Sequence, residues 1–417
     1  MQKAQDAFRP YGYKSIQTPL MEQTTLFTRG IGEATDVVSK EMFNALSDAN
    51  LNTLIGGGHI KDKSRMSLRP EGTAGTIRAI IENGMVSQGS APVKLMYAGP
   101  MFRAERPAAG RYRQFMQIGV ECVGTSAPTS DAEAIIMLMD FYKSIGFGSK
   151  FHDVELLINS MGCKKCRAKY RDVLVSFLDD KRSNLCATCQ ERIGKNPLRV
   201  LDCKEKACQQ ILQDAPVISD YLCEECKEHH AKVKQYLDGA GVKYSEDTKL
   251  VRGLDYYNRT VFEVKSGSVG AQDAIAGGGR YDGLVEQLGG PQAPGFGFAM
   301  GYERTVLAMQ NEGFVPQDMS GNDVFVACVD ESCTDKCFEI AQTLRANAIS
   351  CEIDHQNRSL KSQFKLANKL KAKITIVLGP DEVAQNCANV RNMINHEENM
   401  VKLEQLNQTI TEMLKEQ

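Results

Sequence analysis

The densest charged constellation in the chain is Phe102-Arg103-Ala104-Glu105-Arg106-Pro107, followed by Gly110-Arg111-Tyr112-Arg113-Gln114-Phe115. Arginine forks match phosphate oxygens two at a time, and an aromatic face beside them suits a purine ring. On a strand leaving this loop, alternation puts Gln117, Gly119 and Glu121 on one face and Met116, Ile118 and Val120 on the other. Three more polar clusters accompany it. Arg69-Pro70-Glu71-Gly72-Thr73 marks a turn, with Thr73 placed to cap a helix over 74–82. Val251-Arg252-Gly253-Leu254-Asp255-Tyr256-Tyr257 breaks a strand-like run at Gly253 and leaves paired tyrosines near an arginine. The last is Gly277-Gly278-Gly279-Arg280-Tyr281-Asp282-Gly283, with the glycine-rich 295–301 and then Arg304 behind it, where glycine permits close backbone approach to a ligand. Neither glycine run fits the Rossmann or P-loop pattern. Plainer readings compete: an arginine-rich hairpin, a helix entrance, tyrosines filling a sheet face.

Particular elements must position these residues. The apolar stretch 93–97 reads as a strand ending at the turn signal Ala98-Gly99-Pro100. Residues 131–142 read as a helix whose apolar face is Ala132, Ile135, Ile136, Leu138 and Met139, after a Ser130/Asp131 cap. The alternating 260–264 is a strand. Between 159 and 240 the composition shifts to Cys, Lys and helix formers, an inserted helical module. A loop at 313–322 containing Pro316, Asp318, Ser320 and Gly321 reads as a linker. Beyond it, strands at 324–329, 350–353 and 374–378 alternate with helices at 333–347 and 360–370, predicting a small α/β domain with a mainly parallel sheet. The divisions are thus 1–158 and 241–315 for one core, 159–240 for its insertion, and 322–417 for a terminal domain.

Composition narrows the class. With 417 residues, 42% hydrophobic and 24% charged, the chain is neither collagen-like, disordered nor coiled-coil. Lys+Arg 50 against Asp+Glu 52 leaves a net charge of −2, so a polyanion must be met by local basic patches. One such run is Arg358, Lys361, Lys365, Lys369, Lys371 and Lys373, with Lys361, Lys365 and Lys369 on one helix face. No secretory leader pattern opens the chain, and no apolar run approaches the roughly 18–20 residues of a membrane span, so a cytoplasmic protein without membrane insertion is expected.

The 14 cysteines concentrate between Cys163 and Cys226. The spacing of Cys163-x₂-Cys166 and Cys186-x₂-Cys189 reads as a tetrahedral structural zinc site. Cys203-x₄-Cys208 and Cys223-x₂-Cys226 would make a second, with His229 and His230 as spare ligands. Which pairs combine is open, and unmetallated thiols in a helical insertion are the alternative.

In their order, the four polar clusters resemble those of the class II aminoacyl-tRNA synthetases, and in particular the histidyl-specific family. Motif 1 is seen in Tyr11-Gly12-Tyr13-Lys14-Ser15-Ile16-Gln17-Thr18-Pro19, motif 2 in the 102–105 signature and its loop, motif 3 in the glycine-rich run ending at Arg304, and the histidine signatures in 250–257 and 276–283. The resemblance implies an α+β fold: an antiparallel-sheet catalytic core with a helical insertion, plus a C-terminal α/β anticodon-binding domain. It implies ATP with Mg²⁺, L-histidine and tRNA(His) as partners, and a homodimer built through motif 1. Arg103, Glu105, Arg111, Phe115 and Arg304 would hold ATP. Glu71, Thr73 and Gln117 would receive the histidine ammonium, Glu121 and Tyr257 would read its imidazole, and Tyr256 and Tyr281 would complete the pocket. Arg252 would assist attack of the carboxylate on the α-phosphate, with Arg103 and Gln117 beside it. Two departures stand out: Met116, where a histidine is common, and a start so close to motif 1 that a truncated or misassigned beginning is expected. A regulatory paralogue, the synthetase-like subunit of ATP phosphoribosyltransferase, is the competing class; it lacks the anticodon domain and degrades the 250–257 signature.

Overall fold

The computed structural model describes every residue except 33–34, 88, 271–272, 317–320 and 416–417, so the linker residues Asp318 and Ser320 lie outside the described residues. The chain divides into two compact units, Met1–Phe314 and Val315–Gln417.

The first unit is built on an eight-stranded sheet. Its strands are Lys14–Ser15 (β1), Val93–Phe102 (β2), Gln114–Val123 (β3), Glu155–Ser160 (β4), Ser245–Glu246 (β5), Asn258–Lys265 (β6), Ala274–Arg280 (β7) and Gly295–Gly301 (β8). Their order across the sheet is β1-β2-β3-β8-β7-β6-β4-β5. The six central strands pair antiparallel, and only the short edge pairs β1–β2 and β4–β5 are parallel. The α+β expectation holds. The turn signal at Ala98-Gly99-Pro100 does not: β2 runs through it to Phe102, with Pro100 opposite Met116. A proline is tolerated there because β1 pairs only with Leu95 and Met96, so the outer edge beyond asks for no ladder donor.

One sheet face carries the larger core. Ile118, Val120, Phe262, Phe296 and Phe298 pack against Phe8 of the first helix and against Ile135, Leu138 and Phe141 of the helix Pro128–Ser144. Each such buried side chain contributes roughly 1.5–3 kcal/mol of transfer free energy. That helix starts three residues earlier than its expected cap. Asp131 is no cap; it is fully buried against Arg280 and His229. The opposite face meets Ile77 and Ile80 of the helix Thr73–Glu82 and three helices between β4 and β5, Lys164–Asp180, Ala187–Lys195 and Lys206–Ile211. The fourth helix of that insertion, Glu224–Gly239, packs instead on the first core through Val233 and Leu237.

The second unit holds Val324–Cys328 (β9), Cys351–Ile353 (β10), Ile374–Leu378 (β11), Cys387–Asn392 (β12) and Glu398–Lys402 (β13), ordered β10-β9-β11-β12-β13. The first two pairings are parallel and the last two antiparallel, so the sheet is mixed where a mainly parallel one was expected. Lys361, Lys365 and Lys369 lie exposed on the helix Leu360–Lys369, while Arg358 pairs with Asp354 at 2.5 Å and Lys373 with Asp323 at 2.8 Å. Among the described residues, no helix is long and apolar enough to cross a membrane.

Candidate active site

The sheet face opposite Ile118 and Val120 opens into a cavity of about 270 Å³. Strand alternation delivers Phe115 and Gln117 to its wall; Glu121, on the same strand face and 1% exposed, does not line the cavity but lies behind Tyr97, which does. From other elements come Glu71, Thr73, Arg103, Glu105, Arg111, Arg252, Tyr256, Tyr257 and Arg304. Tyr281 does not line the cavity either; it is buried and donates its hydroxyl to Glu121. The four sequence clusters therefore meet in one place.

The Glu71 carboxylate accepts the amides of Thr73 at 2.6 Å and Ala74 at 2.9 Å. It, and not Thr73, caps the helix, correcting the sequence expectation: Thr73 is already the first helical residue. Burial pushes the Glu71 carboxyl up, and the two amides and Arg103 pull it back. Arg69 ties this turn to β2 through the Pro100 carbonyl at 2.9 Å and grips Thr18 at 2.9 Å.

Arg103 donates from Nε to the Pro70 carbonyl at 3.0 Å, and its guanidinium lies 5.3 Å from the centroid of Phe115. Glu105 sits between Arg103, 3.9 Å away, and Arg111, which it contacts directly. Arg304 crosses to the Gly110 and Ala274 carbonyls, both at 2.9 Å. Arg252 donates to Glu263 at 2.5 Å and lies over Gly277, where a Cβ would overlap the guanidinium. Two polar atoms in the wall, Arg252 Nε and Gln117 Oε1, are buried with no hydrogen-bond partner among the described residues. Such groups are rare in a finished interior and mark where a ligand's polar atoms belong.

Glu121 is a strongly perturbed carboxyl. Burial first, and then the nearby Glu71 charge, push its pKa up to about 8, against hydrogen bonds that favour the ionised form. Tyr256 and Tyr257 pack with ring centroids 4.6 Å apart, and Tyr281 meets Tyr256 edge-on at 5.8 Å.

Sequence reasoning missed Tyr97, Glu263 and Glu303. Tyr97 lines the cavity and reaches Glu121 at 3.4 Å. Glu263 was legible as a lone acid within an apolar strand. Glu303 accepts the Met116 amide at 2.8 and 3.0 Å, an interaction that depends on no side chain at position 116. The cavity adjoins a second, of about 390 Å³, that adds Arg199, Lys204, Lys249 and Lys265.

The eight clustered cysteines form two groups, Cys163, Cys166, Cys223 and Cys226, and Cys186, Cys189, Cys203 and Cys208. The pairing of neighbours along the chain is thereby corrected: the first pair joins the last, enclosing the middle two. His229 and His230 stand outside both, bound to Asp131 at 2.8 Å and Glu246 at 3.1 Å.

Two family models match: Histidyl-tRNA synthetase over residues 1–305 and Anticodon binding domain over 323–413. A histidine–tRNA ligase of Desulforamulus reducens is 47% identical over 95% of this chain and 91% of its own length. One of Thermosipho melanesiensis is 44% identical over 99% and 94%. The apo histidyl-tRNA synthetase of S. aureus superposes with a TM-score of 0.78 at 35% identity, covering 98% of this chain and 94% of that one. With the motif residues converging on one cavity and both models spanning nearly its whole length, the chain belongs to the histidyl-tRNA synthetase family.

Proposed function

We propose that the chain charges tRNA(His) with L-histidine through an adenylate. In the first step a histidine carboxylate oxygen attacks the α-phosphorus of ATP; the new C–O–P link forms as the bond to pyrophosphate breaks. In the second, the 3′-terminal hydroxyl of the tRNA attacks the acyl carbon and AMP leaves. The observation that carries this reading is the pair of unpartnered atoms, Arg252 Nε and Gln117 Oε1, on residues that line the cavity. Arg252, held by Glu263, meets the charge that develops on the phosphoryl oxygens without reorganising. Arg103, Arg111 and Arg304 hold the phosphates, Phe115 and Glu105 face the adenine, and Glu71, Thr73 and Gln117 receive the ammonium. Glu121 accepts one imidazole N–H, with Tyr257, Tyr256 and Tyr281 around the ring. A site that hydrogen-bonds both ring nitrogens rejects isosteres lacking them.

Mg²⁺ would accompany ATP and offset the triphosphate charge; the cavity carboxylates are already engaged, Glu105 with arginines, Glu263 with Arg252 and Glu303 with an amide. The C-terminal unit binds the anticodon arm, with Lys361, Lys365 and Lys369 meeting phosphate, and the enzyme works as a cytoplasmic homodimer. A purely regulatory paralogue would need none of this arginine set. The test is histidine-dependent ATP–pyrophosphate exchange followed by charging of tRNA(His). Exchange is expected with histidine and with no other amino acid; its absence sinks the reading.

A further inference from the structure

We propose that the insertion binds two zinc ions, each held by four cysteine thiolates, in nested sites. Cys163, Cys166, Cys223 and Cys226 form the outer site and Cys186, Cys189, Cys203 and Cys208 the inner one, with the ligand atoms of each within 4.8 Å of one another. Four sulfurs at the usual zinc–thiolate distance, at the corners of a tetrahedron, stand about 3.8 Å apart. The sulfurs of Cys163 and Cys166 are 3.6 Å apart, Cys163 and Cys223 3.9 Å, and Cys186 and Cys203 3.9 Å. A disulfide would require about 2.05 Å, and every cysteine is a free thiol.

Backbone donors complete each site across its two halves. The Cys223 amide donates to the Cys166 sulfur at 3.1 Å, and the Cys186 amide to the Cys208 sulfur at 3.2 Å. Such bonds satisfy lone pairs that a bound thiolate keeps. Cys163, Cys186 and Cys223 also stand at the N-caps of Lys164–Asp180, Ala187–Lys195 and Glu224–Gly239, where helix dipoles favour thiolate charge. An all-sulfur set selects a soft tetrahedral ion over Mg²⁺ or Ca²⁺, and four protein ligands leave no position for substrate, so both ions are structural. The outer site clamps the entrance and exit of the insertion. Arg167, the residue after Cys166, donates to the Tyr257 carbonyl at 2.9 Å, so the clamp also braces the segment carrying the paired tyrosines.

Full-length protein purified without added metal or metal-affinity resin should contain two zinc ions per chain by elemental analysis. One ion or none, or cysteines recovered as disulfides, overturns the proposal. The Cys163→Ser/Cys166→Ser variant tests the nesting: it should keep one ion, with Cys223 and Cys226 newly open to alkylation and Cys186, Cys189, Cys203 and Cys208 protected. Opening of Cys186 and Cys189 instead would overturn the pairing. Should that variant not fold, cobalt exchanged into the unaltered chain should show the intense thiolate charge-transfer bands of four-sulfur tetrahedral sites, and a spectrum of fewer sulfur ligands refutes them.

Discussion

Two arginines of the same unit show how a charge cluster that builds structure differs from one that does chemistry. Arg280 is fully buried and its fork is met on every side: Asp131 at 3.2 Å from Nε, Thr125 O and Asp282 at 3.0 and 2.9 Å from Nη1, and Ser130 at 3.0 Å from Nη2. Asp131 is in turn held by His229, and these partners keep its carboxyl below its ordinary value despite burial. Arg252 has one close acid, Glu263, and a nitrogen with no partner at the cavity wall. The first cluster is closed and balanced; the second is completed only by a ligand. Exposure already separates the two side chains, 0% against 20%, and counting what each donor meets says why.

Variants can break this distinction. Arg280→Met leaves Asp131 and His229 buried without their cation and should cost about 3–5 kcal/mol in urea unfolding, while activity per folded molecule is retained. A loss below about 1 kcal/mol would erase the contrast. Arg252→Ala should do the reverse: pyrophosphate exchange falls by about 10²–10³-fold, roughly 2.7–4 kcal/mol of transition-state stabilisation, with an unchanged unfolding midpoint.

Glu121 sharpens the comparison through pH. Its carboxyl, pushed up to about 8, is protonated in the unliganded site at neutral pH, and the ionised form is the stronger acceptor for an imidazole N–H. KM for histidine should therefore fall as pH rises towards 8, and Glu121→Gln should flatten that profile. The sign for stability is opposite. Because the folded value lies above the unfolded one, ionising Glu121 costs stability as pH rises from about 4.3 through 8, so Glu121→Gln should gain relative to the parent at pH 9. The smallest effect is expected at the C-terminal helix. Lys361→Ala/Lys365→Ala should raise KM for tRNA a few-fold and lower the salt slope of binding by about two, leaving pyrophosphate exchange untouched.

The sheet was the legible part of the molecule. A period of two assigned Gln117 and Glu121 to the cavity side and Ile118 and Val120 to the core, because strand geometry leaves no other choice. Local signals failed where a neighbour overrode them. Pro100 sits in a strand because its outer edge is unpaired, and Thr73 yields its capping role to a buried glutamate two residues earlier. The cysteine partners were unreadable for a different reason: spacing along the chain says which thiols share a turn, and the path of four helices decides which turns meet. The hairpin of β12 and β13 went unseen because β13 is mostly polar and exposed and β12 mixes Asn and Arg with its buried Cys387, Ala388 and Val390.

Gly277 beneath Arg252 and Gly297 beneath Glu121 place the decisive groups of the site over strand positions that carry no side chain. The cavity is thus specified partly by missing atoms: Gly277 lines it with backbone alone, and Gly297 lies outside its lining. Even alanine at either position would tilt the group above it out of register with the substrate, a loss of aim at a residue that touches nothing in the reaction. Tolerance to substitution in this protein should consequently be lowest at some of its smallest residues.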